Sequence, residues 1–206
     1  MEKPVVAGLT QKQYFKNLLD RVEDFWRRRG RKVDFSVFEI PHELPEDFII
    51  PLYIPEGISN ENACQICEKG GRLMGINFPV KRFRDPMEFS GSEALAQPKL
   101  LLVRDTTWPD SKYLGKSADD LDSITKVLFE DLRDRTLHEA IHYDLFSRHL
   151  SVNNMTWCPK SRLSVGYAAY TNWSSTGGWF YVSATYSDHC DPLFGGREAI
   201  SISLKS

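Results

Sequence analysis

His138-Glu139-Ala140-Ile141-His142 is the segment with the sharpest chemical spacing in this chain. It matches H-E-x-x-H, in which two histidines one helical turn apart reach one zinc ion and the intervening Glu activates the metal-bound water as general base. The residues around it argue both ways. Thr136 followed by Glu139 has capping-box spacing, which would occupy Glu139 at N3 and put His138 in the first helical turn. A third ligand is not given by spacing. His149 follows His142 by seven residues, roughly 10 Å along a straight helix. Glu198 is the only later Glu and falls at or near an expected strand, while Asp188, His189 or Asp191 could complete a site. The reading of His138 and His142 as metal ligands, with Glu139 catalytic, therefore competes with a helix whose histidines are partly buried and hydrogen-bonded.

Three other groups could do chemistry. Cys64-Gln65-Ile66-Cys67 is a single C-x-x-C, and a zinc knuckle needs a second pair, whereas Cys158 and Cys190 lie far apart. Two small apolar residues on one helix face is the plainer reading. Arg27, Arg28, Arg29, Arg31 and Lys32 form a basic run at the end of the first expected helix, where cations complement the helix dipole. The same run, joined by Lys81, Arg82 and Arg84 with Phe83 interleaved, could bind phosphate or nucleic acid. Tyr170, Trp173, Trp179, Tyr181 and Phe194 are concentrated near the end of the chain. On the strand from Trp179, Phe180, Val182, Ala184 and Tyr186 should face the core. Trp179, Tyr181, Ser183 and Thr185 mix rings with hydroxyls on the other face, which suits a ligand or partner surface.

The elements that must hold these groups are punctuated by capping signals. Thr10 and Gln13 form a capping box, and Phe15, Leu18, Leu19, Val22, Phe25 and Trp26 recur at helical spacing, so a helix is expected from Gln11 to about Arg29, stopped by Gly30. Asp34 to Ile40 alternates as a strand would. Phe48 to Ile54 is β-rich but contains Pro51, which marks an edge strand. Ser59 caps a short helix to about Lys69, closed by Gly70-Gly71. Met74 to Val80 and Leu100 to Val103 read as strands. Ser117 with Asp120 opens a helix from Ala118 to about Leu132, and Thr136 with Glu139 opens another to about Leu150. Leu163 to Tyr170, Trp179 to Tyr186 and Ala199 to Leu204 are the last strands, the first two joined by a hairpin loop at Trp173–Gly178.

With 206 residues and 41% hydrophobic composition, the chain suits an ordinary globular domain and not a disordered or fibrous one. A net charge of −2 gives no global pull toward nucleic acid or anionic lipid. The N-terminal apolar run is too short and interrupted for a secretory signal, and no stretch approaches bilayer length, so no membrane role is expected. Four cysteines are sparse for a disulfide scaffold, which points to a reducing, cytoplasmic setting.

The second half resembles a loose group of uncharacterised small bacterial proteins. The stretches that carry it are Lys99–Thr107, Gly115–Leu121, Thr136–Ala140, Thr156–Arg162 and Gly195–Ser201, which together span roughly residues 99–201. In that group the Thr-Leu-x-Glu helix start recurs and the two histidines are not a fixture. The resemblance thus implies a structural cap at Thr136–Glu139 and brings no activity with it.

The expectation is one α+β domain over 1–206, with residues 1–32 a possible helical appendage. It comprises N-terminal helices and edge strands, then two capped helices packed on a C-terminal antiparallel sheet. The first functional expectation is a non-catalytic binding protein that presents its aromatic hairpin face to a protein or small-molecule ligand and needs no cofactor. The alternative is a zinc-dependent hydrolase built on His138, His142 and Glu139. Third comes a structural zinc site at Cys64 and Cys67.

Overall fold

The computed structural model describes residues 10–45, 47–73, 79–164 and 166–205. Its helices are α1 (Gln11–Arg27), α2 (Asn60–Leu73), α3 (Ala118–Asp122) and α4 (Leu132–Phe146). Its strands are β1 (Phe48–Ile54), β2 (Val80–Arg82), β3 (Lys99–Arg104), β4 (Leu128–Phe129), β5 (Met155–Ser164), β6 (Tyr167–Ser174), β7 (Trp179–Tyr186), β8 (Phe194–Gly195) and β9 (Glu198–Ile202). The fold is α+β, with two sheets ordered β1-β3-β9-β4 and β2-β7-β6-β5-β8. Antiparallel pairs dominate, but β2 runs parallel to β7 and β8 parallel to β5.

Local signals set α1. Thr10 Oγ1 accepts the Gln13 amide and the Gln13 side chain returns to the Thr10 amide. The apolar stripe of Phe15, Leu18, Val22, Phe25 and Trp26 is buried in the main core, and the Trp26 indole donates to the Tyr53 carbonyl at 3.0 Å. β1 lies at a sheet edge, where Pro51 deprives no inner ladder of a donor.

α4 is the centre of the molecule. It packs against α1, α2, β1, β5 and β6. Twelve of its fifteen residues are buried, among them Arg133, Asp134, Arg135, His138, Glu139 and His142. A helix buried all round is normally apolar all round. This one carries charge into the interior, so its neighbours must supply partners.

Several expected boundaries are corrected. The cap of α4 is Asp131 with Asp134, not Thr136 with Glu139. Thr136 lies inside the helix, and the helix ends at Ser147 in a left-handed conformation (φ 54°) instead of reaching Leu150. Asp131 wins because its side chain takes the Asp134 amide while the Ser161 hydroxyl takes the Leu132 amide. The helix expected to reach Leu132 stops at Asp122. Asp34–Ile40 forms a 3₁₀ turn at Phe35–Val37 and one bridge from Phe38 to Leu204, because Asp34 accepts the Ser36 amide and bends the chain. Gly70-Gly71 does not end α2, which runs to Leu73. Of the strand expected at Met74 to Val80, residues 74–78 lie outside those described. The strand placed at Leu163 to Tyr170 is the end of β5 and the start of β6, separated by Gly166 at φ 86°.

Candidate functional site

The register of β6 and β7 sorts the aromatic residues onto two faces. Cross-strand partners share a face and successive residues alternate. Trp173 pairs with Phe180 and faces the core, so it does not belong to the expected ligand face. Trp173 is buried and stacks on His149. Ser174 with Trp179, Asn172 with Tyr181, and Tyr170 with Ser183 form the outer face. Tyr170 is half-buried there against Trp157 and Phe194, in a small second core with Tyr113, Leu121 and Phe129.

The outer face stays open toward β2. There Lys81 pairs with Tyr181. Phe83, just past the strand, is 54% exposed and lies flat on the Tyr181 ring, with centroids 5.4 Å apart and planes at 14°. Trp179 is 39% exposed. The Lys81 ammonium sits 5.3 Å from the Phe83 ring centre, 5.9 Å from that of Tyr181 and 6.0 Å from that of Trp179, within cation–π range of all three. Sequence reasoning found Trp179 and Tyr181 but put Phe83 and Lys81 in a different group. The parallel pairing of β2 with β7 links residues about a hundred positions apart, and no local pattern announces it.

The His138–His142 segment is mid-helix and wholly buried. The two ring centres lie 5.9 Å apart with planes at 76°. His138 Nδ1 is 2.6 Å from Glu130 Oε1, while its Nε2 has no hydrogen-bond partner. Burial, then the positive charge of Arg197, holds His138 well below its ordinary pKa. Burial pushes the Glu130 carboxyl up to about 7, against the pull of Arg197 and Arg135. His142 Nδ1 donates to the Arg148 carbonyl at 2.9 Å, and its Nε2 lies 3.3 Å from Asp105. Both of those partners are acceptors.

Glu139 has a different set of partners. Its Oε2 takes Arg135 Nη2 at 2.8 Å and its Oε1 takes His149 Nδ1 at 2.9 Å. The Leu150 amide donates to both oxygens. Burial works against its charge, but the Arg135 guanidinium and the His149 hydrogen bond outweigh it and hold the carboxyl below its usual value. Among the described residues, no group of three His, Cys, Asp or Glu side chains is placed to hold a metal ion.

Cys64 and Cys67 are buried free thiols on α2, and Cys67 donates to the Thr136 carbonyl at 3.2 Å. The basic run is largely spent on structure. Arg27 pairs with Asp24, Arg28 with Asp144 of α4 at 2.6 Å, and Arg29 lies over the Phe25 ring while donating to the Phe25 carbonyl. Arg31 and Lys32 are exposed. Arg82 binds Glu61 and Glu68. No helix of the described residues is long and apolar enough to cross a membrane.

No family model matches the chain, and neither a curated protein nor a solved structure matches it.

Proposed function

We propose that this is a non-catalytic binding protein whose ligand docks on the outer face of β7 and β2, over Trp179, Tyr181, Phe83 and Lys81. The observation that carries the reading is the Phe83–Tyr181 stack, more than half of Phe83 being in water. Two stacked rings with an ammonium over them form a flat apolar floor with one positive charge. Asn172, Ser174, Ser183 and Thr185 surround it with neutral hydrogen-bonding groups. Such a floor takes ligands with planar faces and polar edges, such as nucleobases of a single strand or sugar rings.

The test is a titration with a short single-stranded oligothymidylate and with a neutral oligosaccharide, read by tryptophan fluorescence. A saturable change with either ligand, lost in both Phe83→Ala and Trp179→Ala, supports the reading. No saturable change with either in wild type sinks it.

The zinc-hydrolase alternative draws less support, because both oxygens of Glu139 are engaged by Arg135, His149 and Leu150. Mass spectrometry of protein purified without tag or chelator discriminates the two. About one zinc per chain, lost in His142→Ala, would favour the alternative, while zinc lost only in Cys64→Ala would mean a structural site.

A further inference from the structure

The strands that make the outer aromatic face carry almost no charge. Tyr167–Ser174 and Trp179–Tyr186 contain no Asp, Glu, Lys or Arg. On β2, Arg82 is taken by Glu61 at 2.6 Å and Glu68 at 2.9 Å, and as the neighbour of Lys81 in the strand it lies on the opposite face. Arg84 is exposed, and its charge bears on Tyr167, which with its partner Tyr186 shares the face of Phe180. Lys81 therefore supplies the charge of the outer face. Among the described residues no carboxylate lies within ion-pair distance of its ammonium, which rests near the rings of Phe83, Tyr181 and Trp179.

Around the rings the hydrogen-bonding groups are neutral and unspent. Asn172 pairs with Tyr181 across the strands, and Ser183 and Thr185 follow Tyr181 on the same face. All three are half-buried, and among the described residues their side chains make no hydrogen bond. The Ser174 hydroxyl accepts the Gly177 amide at 3.2 Å and keeps its own proton to donate. The Trp179 indole is seated on the hairpin loop, since a Cβ at Gly177 would collide with its Cδ1 and Nε1. A ring held in this way loses little freedom when a ligand covers it.

These features separate the ligands that such a floor accepts. Sequence-independent binding of single-stranded nucleic acid rests on a row of cations along the phosphates, and this face offers Lys81. A sugar ring meets an aromatic ring with its C–H groups, whose partial positive charge suits the negative ring face. Its hydroxyls need neutral donors and acceptors at the edge, which Asn172, Ser174, Ser183 and Thr185 supply. One ammonium among them matches one carboxylate.

We propose that the outer face of β7 and β2 binds a glycan with one acidic sugar, its ring faces on Phe83 and Trp179 and its carboxylate on Lys81. This rests on the reading of that face as the ligand site and names the ligand class.

The test is a titration read by tryptophan fluorescence with glucuronosyl-xylotriose and with sialyllactose, each beside its carboxyl-reduced neutral form, and with oligothymidylate. In wild type at low salt at least one acidic glycan should saturate the signal and bind roughly twofold to fivefold tighter than its reduced form, the range of an exposed ion pair. In Lys81→Met the two forms should bind alike. Equal binding of both forms in wild type, or a preference that survives in Lys81→Met, overturns the proposal. So does oligothymidylate binding tighter than the glycans, which would leave the face as the ligand site but make its occupant nucleic acid. No response to any of these ligands would overturn the proposal and the reading of the face together. Should Lys81→Met fail to fold, added sodium chloride decides in wild type. The preference for the acidic form should shrink as salt screens the pair, and a preference indifferent to salt overturns the proposal.

Discussion

His149 and Trp173 lie face to face, with ring centres 3.4 Å apart and planes 5° from parallel, and Glu139 holds the His149 Nδ1 at 2.9 Å from within α4. Tyr143 closes the stack on the other side of His149, at 4.4 Å. The glutamate of the H-E-x-x-H segment thus ties α4 to β6 through the imidazole and also answers the buried Arg135. Replacing it by glutamine leaves Arg135 charged and unpaired in the interior. Breaking a buried pair in this way costs about 3–5 kcal/mol. Urea unfolding of Glu139→Gln should show a loss of that order. A variant as stable as wild type would mean that Glu139 is not a structural counter-ion.

The two faces of the hairpin predict opposite results for two tryptophans. Trp173 is buried on the core face and Trp179 is 39% exposed on the outer one. Trp173→Ala should cost about 3–5 kcal/mol, as truncation of a buried aromatic does. Trp179→Ala should stay within about 1 kcal/mol of wild type while abolishing ligand binding. Denaturation midpoints of the two variants check this. Equal losses would mean that the outer face is covered.

The Glu130–His138 pair makes stability depend on pH in a defined direction. An acid whose folded pKa lies above its unfolded value binds more protons when folded, so its burial cost grows as pH rises between the two values. For Glu130 that window runs from 4.5 to about 7. His138 is held neutral by burial and by Arg197, so it acts in the opposite sense, and its share of stability is lost as pH falls below 6.5. Glu130→Gln is uncharged throughout and leaves the His138 contribution in place. Relative to wild type the variant should therefore gain stability from about pH 5 to about pH 8, by roughly 3 kcal/mol at most. A constant difference across that range would show that Glu130 titrates normally.

What the sequence disclosed was local. The Thr10–Gln13 cap and the apolar stripe of α1 are contained in one turn and one helix face, and both are observed. The start of α4 was not legible, because Asp131-x-x-Asp134 and Thr136-x-x-Glu139 have the same spacing, and the Ser161 hydroxyl that satisfies Leu132 comes from a distant strand. Nor does α4 carry a stripe to read, being buried on every side. Phe83 joins Tyr181, and Arg197 joins Thr106, only through pairing between remote segments. The need for glycine at 195 and 196 also comes from remote segments. A Cβ at Gly196 would stand 2.8 Å from the Phe129 ring, and one at Gly195 would stand 2.9 Å from Pro109.

The thiols offer a check on the core around α2 and α4. Cys64, Cys67 and Cys158 are buried, whereas Cys190 is exposed. Burial pushes the Cys64 thiol up to about 12 and raises Cys67 and Cys158 well above the ordinary value. The thiolate is the reactive form, so both access and ionisation protect these three. A thiol-specific reagent at neutral pH should modify one group per native chain quickly, and that group should vanish in Cys190→Ser. The other three should react at the rate of global or local opening and become fast in urea. Rapid labelling of Cys64 or Cys67 in the native protein would mean that α2 lifts from α4 under native conditions. The hydrogen bond from Cys67 to the Thr136 carbonyl would then open with it.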